Sequence, residues 1–339
     1  MEGYLFDFIV ALVISAIATP LCRKAALMFG VLDHPGYRKI HTKAMPLLGG
    51  LAVYLGFVIT TLLDFRDSGT SVLLIGGTVI LFLGILDDKY AMGARMKFIL
   101  PGLSAGILIV LGIHTVFLPE YAHNILNLGF SFLWIMGLVN AFNFIDNMDG
   151  LSIGTAFISS MVFGVLGLLT HQSTVAVLSF SLGGACLGFL FYNFKPAKIF
   201  AGDAGSMFVA FMLASIAIYA SWETPNVITS LFVPVLALGY PIFDTCFVTF
   251  LRIINRKPFW IGDKNHSSHR LVKLGFTQRG AVLLAYGISI ALGVTSIIIL
   301  RAKVMTAFLS VVSAAVFLTF IGMVLARVPF EWKKERKRG

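Results

Sequence analysis

The chain has 339 residues, of which 58% are hydrophobic and 12% charged, with a mean hydropathy of +0.91. Soluble globular domains carry about 25% charged residues, so this composition excludes one and defines an integral membrane protein. A net charge of +10 would suit nucleic-acid binding in a soluble chain, but here the basic residues serve to set topology, and no nucleic-acid partner is expected.

Runs of about 17–25 apolar residues predict eleven transmembrane helices, near 3–22, 46–63, 70–87, 98–114, 128–146, 152–170, 174–193, 205–222, 226–250, 280–300 and 303–326. The fold class is therefore all-α and polytopic. The first run lacks a small-residue cleavage site where a leader would have one, so it is read as a retained span. The loop 23–45 follows, with the stretch "DHPGYRKIHTKAMPLLGG" at 33–50. Pro35 and Pro46 break helix there, and Arg38, Lys39, His41 and Lys43 make the loop basic.

The third span closes on Asp87 and Asp88. Adjacent carboxylates repel unless a cation or proton sits between them. The loop 88–97 leads to Lys97 at the start of the fourth span. The fifth span runs into "NAFNFIDNMDG" at 140–150, where Asn140, Asn143, Asp146 and Asp149 recur every three residues. An Asp at the bilayer centre costs about 2.5–3.5 kcal/mol on insertion scales, so intramembrane polar residues are functional candidates by default. Gly150 predicts that the helix ends near Asp146 or Asn147, with Asp149 turning back toward the same site.

The seventh span ends in "NFKPAKIFAGDAGSMF", where Gly202 and Gly205 flank Asp203. A glycine-flanked Asp before a helix offers a carboxylate to a metal while backbone N–H groups face an anion, and Ser206 can cap the helix that follows. Asp244 lies in the ninth span. The long loop 251–279 then carries "DKNHSSHRL", in which His266, His269 and Arg270 can reach phosphate oxygens; a zinc site there lacks its third and fourth ligands. The three dispersed cysteines, Cys22, Cys186 and Cys246, read as small buried hydrophobes.

Sorted alternately, the loops on one side (23–45, 88–97, 146–151, 194–204, 251–279 and the tail 327–339) hold nearly all the Lys and Arg. Arg66, Arg301 and Lys303 fall on the other. The positive-inside rule makes the first side cytoplasmic, with the N-terminus outside and the C-terminus inside. Residues 1–326 form one transmembrane catalytic domain, and 327–339 a basic cytoplasmic tail facing anionic headgroups. Asp87, Asp88, Asp146, Asp149, Asp203, Asp244 and Asp263 all fall at or near that same face. Short carboxylates there suit Mg2+, which takes oxygen ligands and keeps substrate phosphates in its shell. A cation-coupled transporter would place such residues nearer the midplane.

These five motifs, in this order from Asp33 to Leu271, resemble the polyprenyl-phosphate N-acetylhexosamine-1-phosphate transferases. The likeness is greatest to the undecaprenyl-phosphate N-acetylglucosamine-1-phosphate branch. That branch commonly reads His-x-His-His-Arg in the last loop, where this chain has Ser268 at the middle histidine position. The resemblance implies transfer of a sugar 1-phosphate from a UDP-N-acetylhexosamine to polyprenyl phosphate, releasing UMP, in the inner (cell) membrane with the site on the cytoplasmic face. It implies Mg2+ as cofactor, with Mn2+ able to replace it, and a homodimer. Asp203 is then the first choice as metal ligand, with Asp146 and Asp149 assisting, and Asp87 and Asp88 handle the lipid phosphate. Lys43, Lys97, His266, His269 and Arg270 neutralise phosphate charge. Asn140 and Asn143 line the substrate site, and Asn193 and Phe200 flank a uridine pocket.

Overall fold

The computed structural model describes residues 2–35, 44–64, 68–93, 96–114, 124–222, 227–258 and 263–331. Lys43, with the rest of the basic loop 36–43, and the tail 332–339 lie outside the described residues, as does the side chain of Lys97 at the start of the fourth span. Thirteen helices are described: α1 (Glu2–Phe29), α2 (Gly49–Leu63), α3 (Ser68–Tyr90), α4 (Met96–Val110), α5 (Asn124–Ile145), α6 (Leu151–Leu169), α7 (Ser173–Asn193), α8 (Gly202–Tyr219), α9 (Val227–Ala237), α10 (Gly239–Ile254), α11 (Ser267–Lys273), α12 (Gln278–Leu300) and α13 (Val304–Ala326).

Every predicted apolar run is helical. Eight helices (α1, α3, α5, α6, α7, α8, α12 and α13) are long and apolar enough to cross a membrane. The second and fourth runs form helices of 15 residues, whose rise of about 22 Å falls short of a hydrocarbon core of about 30 Å. The ninth run is not one helix. It breaks at Leu238 into α9 and α10, which are bent by 84°. Pro234 weakens the last turn of α9 by removing an N–H. Neighbouring serines supply donors at the break: Ser159 on α6 donates to Ala237 O (2.8 Å) and Ser296 on α12 to Val233 O (2.6 Å). Broken helices at membrane depth persist where buried partners satisfy the backbone in this way.

The all-α expectation misses one small feature. Leu32–Asp33 (β1) and Met45–Pro46 (β2) pair antiparallel, which pins the two ends of the basic loop together. Helix α8 is the axis of the bundle, buried on every side and packed by α2, α3, α5, α6 and α7. By contrast α13 is exposed along almost its whole length, as expected of a helix facing lipid. Cys22 and Cys186 are buried as expected, but Cys246 is exposed. It sits on α10 opposite the Asp244–Val248–Leu251 stripe, on a face shared with exposed Phe250 and Ile253.

Candidate active site

The first turn of a helix has unpaired N–H groups, and those of α8 receive a carboxylate from another helix. Asp88, near the end of α3, accepts from Asp203 N (2.7 Å, Oδ1) and from Ala204 N (3.1 Å, Oδ2). This approach requires small residues. A Cβ on Gly84 of α3 would fall on Ala204 Cα, and one on Gly50 of α2 would fall on the backbone of Gly205. Asp203 therefore lies inside the first turn of α8 and not in an open loop. The N–H groups expected to face a free anion are turned onto Asp88. Ser206, read from the sequence as a cap, instead donates back to Gly202 O (3.1 Å).

From α5, Asn143 Nδ2 donates to Asp203 Oδ1 (2.5 Å) and lies 3.3 Å from Ser206 Oγ. Three helices thus meet at Asp203. Asp87 is buried beside Asp88 at 2% exposure. Asp146 is half-buried just past the end of α5, three residues beyond Asn143. Asn140 has its amide on Met136 O, one turn back in its own helix.

The turn after α5 closes through Gly150, whose φ of 79° places it in the left-handed region that glycine adopts without steric cost. Tyr286 of α12 donates to Gly150 O (2.5 Å). Asp149, expected to turn back toward the end of α5, meets the 194–201 loop. Its carboxylate accepts from Ala197 N (3.1 Å) and pairs with Lys195 (3.3 Å), because the 194–201 loop packs over the turn. Asn193 is 3% exposed, with its amide bridging Gly150 N and Ile199 O. That makes it a brace between the turn and the loop. Phe200 is half-buried, and its backbone pairs with Pro46 O and Gly49 N, joining this loop to the glycine pair that opens α2.

The His-bearing arm lies across the same turn. Ser268, which stands where the resembled branch has histidine, donates to Asn147 Oδ1 (2.7 Å), between Asp146 and Asp149 in sequence. Asp244 is buried at 1% exposure and accepts from His266 Nδ1 (2.7 Å) and Ser267 N (2.7 Å). Arg252 and Asp263 form a buried pair at 3.0 Å. Burial alone would raise the Asp263 carboxyl, but the hydrogen bond and charge of Arg252 hold it below its ordinary value.

Of the three residues expected to face phosphate, two are engaged inside the protein. His266 is bound to Asp244, and the guanidinium of Arg270 is fully buried on backbone and Asn265 oxygens. His269 is half-buried. Burial, then the nearby charges of His266 and Lys264, push its imidazole down to about 4, so in the ligand-free chain it is neutral near pH 7. An unfolded His binds its proton near 6.5, and the folded one only near 4. Between those values the unfolded chain binds more protons, so folding stability falls as pH drops from about 6.5 toward 4. Thermal unfolding in nanodiscs is expected to show this decline, and His269→Gln to flatten it. Equal declines in both proteins would remove His269 as the source.

Asn147, Asp244, Asn265, Ser267 and Tyr286 were not singled out as site residues from sequence. Asp244 had a signal, as a lone carboxylate in an apolar run; Tyr286 had none. Among the described residues no three His, Cys, Asp or Glu side chains are grouped as a ligand set. Mg2+ does not require one, since one or two carboxylates with substrate oxygens suffice. The carboxylate of Asp203, oriented by Asn143, and that of Asp146, three residues beyond Asn143, suit that chemistry.

Fold and site together define a polytopic membrane protein with an acidic, hydrogen-bonded centre at one end of a helical bundle. The description "Glycosyl transferase family 4" matches residues 70–221. A probable undecaprenyl-phosphate N-acetylglucosaminyl 1-phosphate transferase of Bacillus subtilis is 34% identical over 335 residues, 96% of this chain and 93% of its own. A decaprenyl-phosphate N-acetylglucosaminephosphotransferase of Mycolicibacterium smegmatis is 30% identical, over 81% of this chain and 77% of its own. The undecaprenyl-phosphate alpha-N-acetylglucosaminyl 1-phosphate transferase of Escherichia coli K12 is 28% identical, over 77% and 74%. The chain belongs to glycosyl transferase family 4.

Proposed function

We propose that the chain transfers N-acetylglucosamine 1-phosphate from UDP-N-acetylglucosamine to polyprenyl phosphate, the first membrane step of a cell-envelope glycan. A lipid phosphate oxygen attacks the β-phosphorus, the bond from that phosphorus to the bridging oxygen breaks, and UMP leaves with the electron pair. The observation that carries this reading is the junction of Asp88, Asp203 and Asn143, three polar side chains from three apolar helices. Polar groups at the end of an apolar bundle are functional candidates, and the names of the relatives supply a matching reaction.

Phosphoryl transfer depends mainly on positioning and charge neutralisation. In this reading Asp203 and Asp146 would hold Mg2+, or Mn2+ in its place, which when bound would supply charge neutralisation at the donor diphosphate. Asn143 fixes the plane of the Asp203 carboxylate. Asp88 sets the position of α8 and with it Asp203. Asp87 is the carboxylate assigned to the lipid phosphate, which is itself largely ionised near pH 7. His269 faces the donor and Phe200 stacks on uracil. The reading takes eleven spans in the inner membrane, the N-terminus outside, the C-terminus and the site cytoplasmic, and two copies in a dimer.

The test is an exchange assay on the purified protein with Mg2+, polyprenyl phosphate and a panel of UDP-sugars, following UMP and butanol-soluble label. UMP release is expected with UDP-N-acetylglucosamine and only when lipid phosphate is present. Preference for another UDP-N-acetylhexosamine would move the donor and keep the reaction. No UMP with any donor would sink the proposal.

A further inference from the structure

The arm at 263–273 is held from two sides, and the second is the chain leaving α13. Arg270 Nη1 donates to Leu325 O (3.1 Å) and Val328 O (2.6 Å) where the chain leaves α13, with Leu325 O also accepting from Val328 N (3.2 Å). Its Nε donates to Asn265 O and its Nη2 to Asn265 Oδ1, both at 3.0 Å. Asn265 is fully buried. Its Nδ2 donates to Glu331 O (2.7 Å) and its Oδ1 accepts from Glu331 N (3.1 Å). A carboxamide that both donates to and accepts from one residue's backbone copies a rung of an antiparallel ladder. Asn265 N in turn donates to Asp263 Oδ1 (2.8 Å), the partner of Arg252.

We propose that residues 327–331 are a strap that positions the arm against the α5–α6 turn, with Asn265 as the positioning residue. The sequence made this stretch part of a basic tail; the contacts make it a brace for the segment carrying Ser268 and His269. These bonds reach main chain at Leu325, Val328 and Glu331, and a partly exposed ion pair between Lys273 Nζ and Glu331 Oε2 (3.1 Å) joins the arm to the strap by side chains. The inference rests on the proposed reaction, in which the arm meets the donor and not the lipid.

The experiment uses the full chain in nanodiscs, with Asn265→Ala, Asn265→Asp, and chains ended after Ala326 or after Lys334. Donor and acceptor kinetics are measured beside hydrogen exchange over 263–275. Asn265→Ala is expected to raise the donor KM about tenfold and leave the acceptor KM unchanged, a split that a general loss of stability does not give. Exchange in the arm should quicken while α6 and α8 stay protected. Asn265→Asp keeps the acceptor for Glu331 N and loses the donor to Glu331 O, so it should fall between. The chain ended at Ala326 should match Asn265→Ala, and the one ended at Lys334 should match the full chain. Unchanged arm exchange in Asn265→Ala and in the chain ended at Ala326 overturns the strap, as does an equal rise in both KM values. A wild-type chain that releases no UMP defeats the reaction instead, while arm exchange still reads the strap.

Discussion

Asp203→Asn is expected to lower kcat by about 10³-fold, with the protein still folded, since electrostatic stabilisation of the transition state is the largest single contribution in reactions of this kind. The substitution keeps the shape of the side chain and its oxygen facing Asn143, and removes the negative charge from the point where three helices meet. Backbone bonds from Asp203 N to Asp88 are untouched, so α8 should stay in place. Thermal unfolding close to wild type together with lost UMP release is the expected pair of results. Asn143→Ala should cost less, on the order of 10–100-fold, because it loosens the carboxylate without discharging it. Full activity in Asp203→Asn would remove this residue from the site.

Asp88→Asn is expected to lower kcat by about 10²-fold and also to destabilise the protein by about 1–3 kcal/mol. A carboxylate presents two oxygens to the two N–H groups of Asp203 and Ala204. A carboxamide presents one oxygen and one NH2, and the NH2 opposes an N–H at the start of α8. The first turn must shift, and Asp203 shifts with it. The pH–rate profile separates a positioning role for Asp88 from a proton-accepting one. A positioning carboxylate leaves the shape of the pH–rate profile as it was, with a lower plateau. A proton-accepting carboxylate takes one limb of the profile away. The geometry predicts the first for Asp88.

Much of this was legible in the chain itself. Apolar runs longer than about 17 residues can bury their backbone groups only as helices, and each of them is helical. Asp88, Asn143 and Asp203 stood out because polar groups are costly where they lie. Gly49 and Gly50 admit close backbone approach, and Gly50 meets Gly205 in this way. The partners of several of these residues were not legible. Asp149 was expected to turn back toward the end of α5, and its carboxylate pairs with Lys195. Arg270 was aimed at phosphate and is spent on Leu325, Val328 and Asn265. Asn193, read beside a uridine pocket, braces Gly150.

What the sequence by itself determined is the class of structure and the list of costly residues, because hydropathy and the penalty of burying charge are properties of each segment taken alone. What only the tertiary structure decided is which polar groups answer one another. Asp88 to α8, Asp244 to His266 and Asn265 to Glu331 are separated by 115, 22 and 66 positions. A hydrogen bond is satisfied within about 3 Å, and no spacing along the chain encodes which distant donor the fold will bring that close.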